Sequence, residues 1–266
     1  SFADARHILY LPQDRQLAKP EVDGNYIPAI RREMEQTPEL TRYLGEFVTP
    51  ERRGRVERVL AARTRHLTVV LEDIYQTHNA SAVLRSCECF GIQDVHVIEN
   101  RNAYSVHPDV DQGASKWLDL IRYNDGDGDN TRRCVEELRA SGYRLLGATP
   151  HRDECTLDDV PVDKPAAVMF GTEELGLSAG ALESADLFVR VPMFGFTESF
   201  NISVCAALML RELSRRVRAA GGAWELTPEE KEDLRLRWYR KMVRGSEQLE
   251  RRFAADSMAA SAAGPE

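Results

Sequence analysis

The chain is predicted to fold as an α/β domain, with a largely parallel sheet and helices on both faces. Three observations carry this. Five short apolar runs stand in the middle of the 266-residue sequence, most of them rich in β-branched residues. Helix-length amphipathic stretches lie between and after them. And 42% of the residues are hydrophobic, which suffices for one sizeable core. Strands joined through helices pair in parallel, because a parallel pair needs a long crossover.

In chain order, the first 49 residues are polar, and Pro12, Pro20, Pro28, Pro38 and Pro50 space out short helical pieces at Ile30–Gln36 and Glu39–Phe47. The segment reads as an appendage of unknown role. A proline start predicts a helix from Pro50 to about Arg65. Strands are predicted at Leu67–Leu71, Val95–Ile98, Arg144–Ala148, Ala167–Phe170 and Leu187–Val191. Helices are predicted at Asn79–Phe90, Thr131–Ser141, Ser178–Ser184 and Asn201–Ala219. In the first of these, Ala80, Val83, Leu84, Cys87 and Phe90 form one core-facing stripe, and Arg85 leaves it by roughly 140°. Asn79 stands where a helix cap would. Ile202, Val204 and the run from Ala206 to Leu210 make the last of them apolar nearly all round, fit for the core or an oligomer interface. The small-residue tail AADSMAASAAGPE is expected to be disordered.

Charge is segregated. The net charge is -8, yet Arg52, Arg53, Arg55, Arg58, Arg63 and Arg65 crowd residues 51–66. Lys231, Arg235, Arg237, Arg240, Lys241 and Arg244 crowd residues 231–244, with Trp238 and Tyr239 between them. A uniformly basic nucleic-acid binder is excluded. Two local basic helices remain, which are either solvated faces or phosphate-binding patches with rings to stack on bases. Five cysteines without a CxxC pair read as reduced thiols of a cytoplasmic protein. No stretch approaches the roughly 18 uncharged apolar residues of a membrane span.

Several chemistries lack their motif. No GxGxxG follows a strand, FGTEELG has no GK[ST], no GxSxG elbow occurs, and the six histidines show no ligand spacing, so no metal is expected. Three segments stand out instead: HNASAVLRSCECFG at 78–91, AAVMFGTEELGLS at 166–178 and VRVPMFGFTESFNISVCAALML at 189–210. Strand ends running into glycine turns, and small polar residues at a helix start, suit backbone groups clasping an uncharged ring-bearing ligand. Singly, each feature also has a plain structural reading, as a cap, a turn or a surface carboxylate.

Together, in this order and spacing, the three segments resemble motifs 1, 2 and 3 of the SPOUT class of RNA methyltransferases, and more narrowly the TrmH family; SFNIS is the most specific run. The likeness covers about residues 50 to 245. It implies a C-terminal deep trefoil knot, S-adenosylmethionine as methyl donor, a homodimer, and methylation of a ribose 2′-hydroxyl, most specifically at guanosine 18 in the D-loop of tRNA. Matched by motif, Asn79, Arg85, Glu173, Ser199 and Asn201 are the catalytic set. Thr149, Gly171, Val191 and Phe200 would hold the donor by backbone. Arg52, Arg53, Arg55, Arg58, Arg63, Arg237, Arg240 and Lys241 would face RNA. The implied division is residues 50–66 and 221–252 as basic helical extensions around a methyltransferase domain at 67–220, with 253–266 disordered. An rRNA ribose methyltransferase of the same superfamily, or a non-catalytic RNA-binding protein on the same fold, are the alternatives.

The chemistry asks for a methyl in line with the oxygen, loss of the hydroxyl proton and a positioned RNA. A free guanidinium titrates above about 12 and is a poor base. Arg85 is therefore read mainly as a clamp on phosphate and on charge developing at the oxygen, with His78 as the rival base.

Overall fold

The computed structural model describes residues 37–262, apart from 127, 153, 154 and 223. Strands β1 (Leu67–Glu72), β2 (Asp94–Ile98), β3 (Asp119–Tyr123), β4 (Arg144–Ala148), β5 (Cys155–Thr156), β6 (Ala166–Phe170) and β7 (Leu187–Arg190) form one sheet, ordered β3-β2-β1-β6-β4-β7-β5. Every pairing is parallel. All six residues of β1 and all five of β6 are buried, as expected of central strands covered on both faces. The five anticipated strands are present within a residue at each end. The two extra strands lie at the edges: β3 carries Asp119 and Arg122 on a half-exposed strand, and β5 is only two residues long.

The helices are α1 (Thr37–Glu46), α2 (Pro50–Leu60), α3 (Thr77–Phe90), α4 (Pro108–Asp111), α5 (Asn130–Ala140), α6 (Ala179–Ser184), α7 (Ile202–Ala219), α8 (Pro228–Met242) and α9 (Ser246–Ala262). A 3₁₀ turn occupies Ala114–Trp117. The piece expected at Ile30–Gln36 lies outside the described residues. Local chemistry explains the ends. Thr49 caps α2 ahead of Pro50, Thr227 and Glu230 form a capping box on α8, and Gly91 closes α3 with φ 79°. Three expectations change. Asn79 is not the cap of α3, which starts two residues earlier with Gln76 at its N-cap position. Helix α2 stops at Leu60, because the chain turns in so that Thr64 can pair with Ile92. Helix α9 continues through Ala262, into the segment expected to be disordered.

One core spans the sheet with α3 and α7, and a second lies under α5 and α6. A third joins the chain's two flanks: Leu44 of α1 and Val48 just after it, Val56 and Leu60 of α2, and Leu234, Trp238 and Tyr239 of α8. The boundary drawn at residue 49 therefore falls inside a helical lobe. Trp238 and Tyr239 are only 3% and 4% exposed. They are core residues of that lobe and have no face left for stacking on bases.

An ionic lattice fastens the lobe to the amino edge of the sheet. Arg65 reaches Asp94 at 3.0 Å, Asp119 at 3.0 Å and Glu230 at 3.0 Å. Arg237 bridges Asp119 and Asp233. Both acids on the sheet open a strand, β2 and β3, so α8 is held where those strands begin. No helix among the described residues is long and apolar enough to cross a membrane.

His96 on β2 is buried, and its Nδ1 lies 3.0 Å from Tyr123 Oη, which donates to Glu137 at 2.8 Å. Since the phenol already donates its proton to the carboxylate, His96 donates to it as a neutral ring. Desolvation pushes His96 down from 6.5 to about 4. The unfolded chain takes up a proton near pH 6.5 that the folded ring refuses until about pH 4, so stability falls across that window as pH drops. Between pH 7 and pH 5, chemical denaturation is expected to show the wild-type protein losing about 2 kcal/mol more stability than His96→Gln. The difference isolates this ring from Asp94, which burial raises to about 6 and which pulls the other way.

Candidate functional site

The carboxyl ends of the parallel strands carry the site, the position open α/β sheets use for ligands. Three of the motif residues meet there. Asn201 caps α7: its Oδ1 accepts from the Ser203 N–H at 3.0 Å and the Ser203 hydroxyl at 2.6 Å. With its oxygen so engaged, its amide nitrogen must face the other way. It donates to Glu173 Oε1 at 2.7 Å and to Asn79 Oδ1 at 3.2 Å. Asn79, buried in the first turn of α3, donates in turn to Gln76 Oε1 at 2.9 Å. One amide thus ties together all three motifs.

Glu173 is presented by a tight turn after β6. Thr172 and Gly176 exchange two backbone hydrogen bonds of 3.0 Å, and Leu175 N–H donates to Thr172 Oγ1 at 3.0 Å. A Cβ on Gly171 would lie 2.1 Å from the Gly176 carbonyl, so only glycine fits there. Behind the turn, buried Glu72 accepts from Ser178 N–H at 2.8 Å, Ser178 Oγ at 2.7 Å and Thr131 Oγ1 at 2.6 Å. Sequence reasoning passed over Glu72; a carboxylate at the end of the apolar run LTVVLE was the available signal. Asp73, at φ 52°, was missed too. Its Oδ1 accepts backbone N–H groups of Asn100 at 2.7 Å and Arg101 at 2.8 Å, fixing the chain after β2.

Thr149, Gly171 and Val191 directly follow β4, β6 and β7, which are neighbours in the sheet. The Thr149 N–H donates to Val189 O at 3.2 Å, binding two of those ends together. Phe200 is partly exposed in the loop before α7. Arg85 and Ser199 are exposed, and neither makes a hydrogen bond or ion pair with the Asn79–Asn201–Glu173 cluster among the described residues. His78, also exposed, faces His107 edge-on at 6.4 Å between ring centroids. Among the described residues no group of three or more His, Cys, Asp or Glu could hold a metal ion.

The basic residues divide. Arg52, Arg53, Arg55 and Arg58 are exposed along α2 and make no ion pair among the described residues. Arg63, grouped with them by sequence, is 1% exposed and is a structural pin: it donates to Ile92 O at 2.9 Å, pairs with Glu88 at 3.1 Å and lies 5.5 Å over the Trp238 ring. Arg237 belongs to the ionic lattice. Arg240 holds Glu250 through bonds of 2.9 and 3.0 Å, and Lys241 donates to Lys116 O. Cations counted as RNA contacts on the C-terminal side are thus engaged within the lobe.

Two substitutions separate these roles. Asn201→Ser keeps a capping oxygen but removes the amide; it is expected to fold with an unchanged melting temperature and lose roughly 10- to 100-fold in turnover. Asn201→Ala loses the cap as well, at about 1 kcal/mol by denaturant titration. Gly171→Ala is expected to cost about 1–3 kcal/mol, because the β6 turn must open.

A family model described as the SpoU rRNA Methylase family matches residues 66–211. A relative from Borreliella burgdorferi, named tRNA (guanosine(18)-2'-O)-methyltransferase, is 40% identical over 207 residues, 78% of this chain and 93% of its own length. The fold matches that of the A. aeolicus TrmH/SpoU tRNA modifying enzyme with TM-score 0.65 at 24% identity, over 73% of this chain and 98% of that one. The SpoU methyltransferase AviRb from Streptomyces viridochromogenes, solved in complex with AdoMet, matches with TM-score 0.52 at 26% identity, over 62% of this chain and 65% of that one. Motif cluster, sheet order and these likenesses agree: the chain belongs to the SpoU rRNA Methylase family.

Proposed function

We propose that this protein transfers a methyl group from S-adenosylmethionine to the 2′-hydroxyl of guanosine 18 in the D-loop of tRNA, acting as a homodimer in the cytoplasm. The observation that carries the reading is the Asn79–Asn201–Glu173 cluster beside three adjacent strand ends. It stands in a chain 40% identical, over most of its length, to a protein named for that reaction. The residues at those strand ends fit a nucleoside-bearing donor. Thr149, Gly171 and Val191 offer backbone groups and no charge, and Val191 and Phe200 offer apolar surface to a ring. Bound there, S-adenosylmethionine supplies a methyl already activated on a positively charged sulfur.

The protein's own task is then positioning and charge control. Asn201 and Glu173 hold the acceptor side of the site, with Asn79 fixing the start of α3. Arg85, without a hydrogen-bond or ion-pair partner among the described residues, clamps the target phosphate and offsets negative charge as the hydroxyl loses its proton. Ser199 lies at the mouth, on the loop leading to Asn201. The exposed arginines of α2 grip the RNA backbone, and the lobe as a whole serves tRNA while the sheet serves transfer. The C-terminal trefoil knot belongs to the same proposal. So does a second copy of the chain: Phe194 and Phe196 are fully exposed, and Phe200, Val204 and Leu208 continue that apolar surface onto α7.

The test is methyl transfer from labelled S-adenosylmethionine to unmodified tRNA transcripts, with guanosine or adenosine at position 18. Transfer is expected with the first and lost with the second, and Arg85→Lys is expected to lower turnover by tenfold or more. Transfer to rRNA fragments but not tRNA would overturn the substrate, and full activity in Arg85→Lys would overturn the clamp. Replacing Arg52, Arg53, Arg55 and Arg58 by alanine is expected to weaken tRNA binding and flatten its salt dependence, by about 0.7–0.9 in log–log slope per lost phosphate contact.

A further inference from the structure

The carboxyl end of the sheet holds a hollow that the transfer cluster only borders. It is a cleft of about 390 Å³ between the β1–α3 turn, the residues after β2 and the β6 turn, within the range of about 300–1,000 Å³ usual for small-ligand sites. The order of strands reverses here: β2 and β3 lie on one side of β1, β6 and β4 on the other. Open parallel sheets take ligands at such a switch point. Asn79 and Glu173 form part of the wall, so an occupant lies directly against the transfer cluster.

Three other lining side chains are uncommitted. The ring of Tyr75 is 77% exposed. Arg101 stands on backbone pinned by Asp73, yet its guanidinium makes no ion pair among the described residues. Glu174, on the β6 turn beside Glu173, is likewise exposed and unpaired. Opposite charges therefore line one cleft without meeting each other. A flat ligand with acceptors on one edge and donors on another satisfies both. Among the nucleobases this is guanine, whose O6 and N7 accept from a guanidinium and whose N1–H and 2-amino group donate to a carboxylate. Adenine carries a donor where guanine carries O6, and its Watson–Crick edge would set a lone pair against the carboxylate.

We propose that this cleft is the base pocket for the nucleotide being methylated. Arg101 reads the O6/N7 edge of a guanine, Glu174 reads its N1/2-amino edge, and Tyr75 stacks on its face. The assignment rests on the reading of the protein as a guanosine ribose methyltransferase and adds the residues that choose the base.

Transcripts carrying guanosine, inosine or adenosine at position 18 test it; inosine lacks only the 2-amino group. The wild-type protein is expected to favour guanosine over inosine by about tenfold or more in kcat/KM, and Glu174→Ala to narrow that preference below about threefold. Arg101→Ala is expected to lose about 10- to 100-fold with guanosine, while S-adenosylmethionine affinity and melting temperature stay as in wild type. Tyr75→Ala is expected to raise KM, and Tyr75→Phe to restore it. If Arg101→Ala and Glu174→Ala discriminate among the three bases as wild type does, the cleft is not the base pocket. Base discrimination that collapses in the variants, but at a different tRNA position, would keep the pocket and refute the position-18 reading. No transfer to any RNA by wild type would remove that reading, and with it the occupant named here.

Discussion

One side-chain amide organises the proposed active site. Asn201 must give its oxygen to the exposed N–H at the start of α7, because an uncapped helix start leaves a donor without a partner. Its nitrogen is thereby aimed at Glu173 and Asn79. No other orientation satisfies both ends of the group. Local helix chemistry and assembly of the motif cluster are in this way one constraint: Asn201 is 28 residues from Glu173 and 122 from Asn79, and the same two atoms that end a loop bring these together. The arrangement also depends on strand order, since only a sheet that sets β6 beside β1 places the Glu173 turn next to the start of α3.

Arginine does two kinds of work in the surrounding frame, and burial separates them. Arg63, Arg65 and Arg237 are withdrawn from solvent and matched to Glu88, Asp94, Asp119 and Asp233. Each such pair lowers the cost of an otherwise isolated buried charge rather than adding much net stability. Their value is geometric, because they set α8 against the openings of β2 and β3. The arginines of α2 stay in water and make no ion pair among the described residues. That contrast reconciles a net charge of -8 with an RNA substrate: exposed positive charge is concentrated locally, most densely along α2.

Periodicity and propensity made the central strands legible, because LTVVL and AAVMF are buried on both faces and contain little else. Edge strands were not: β3 mixes charges with apolar residues, and β5 is too short to leave a pattern. The cluster of Asn79, Glu173 and Asn201 was legible through motif likeness, and its residues do meet. The roles of single residues were less so. Whether Arg63 faces RNA or the core, and whether Trp238 and Tyr239 stack on bases or fill a lobe, is decided by packing between the chain's two flanks, which no local window contains. Glu72 and Asp73 escaped notice because their partners lie 27 to 106 residues away.

The central claim is that this site activates a ribose oxygen rather than a base atom. The cluster offers an amide and a carboxylate to a hydroxyl that must lose a proton, beside strand ends suited to an activated methyl. Digesting tRNA to nucleosides after incubation with the protein and S-adenosylmethionine, followed by mass spectrometry, tests this most directly. The account predicts 2′-O-methylguanosine as the new product. A methyl group found on a base nitrogen, with unmodified riboses, would contradict it.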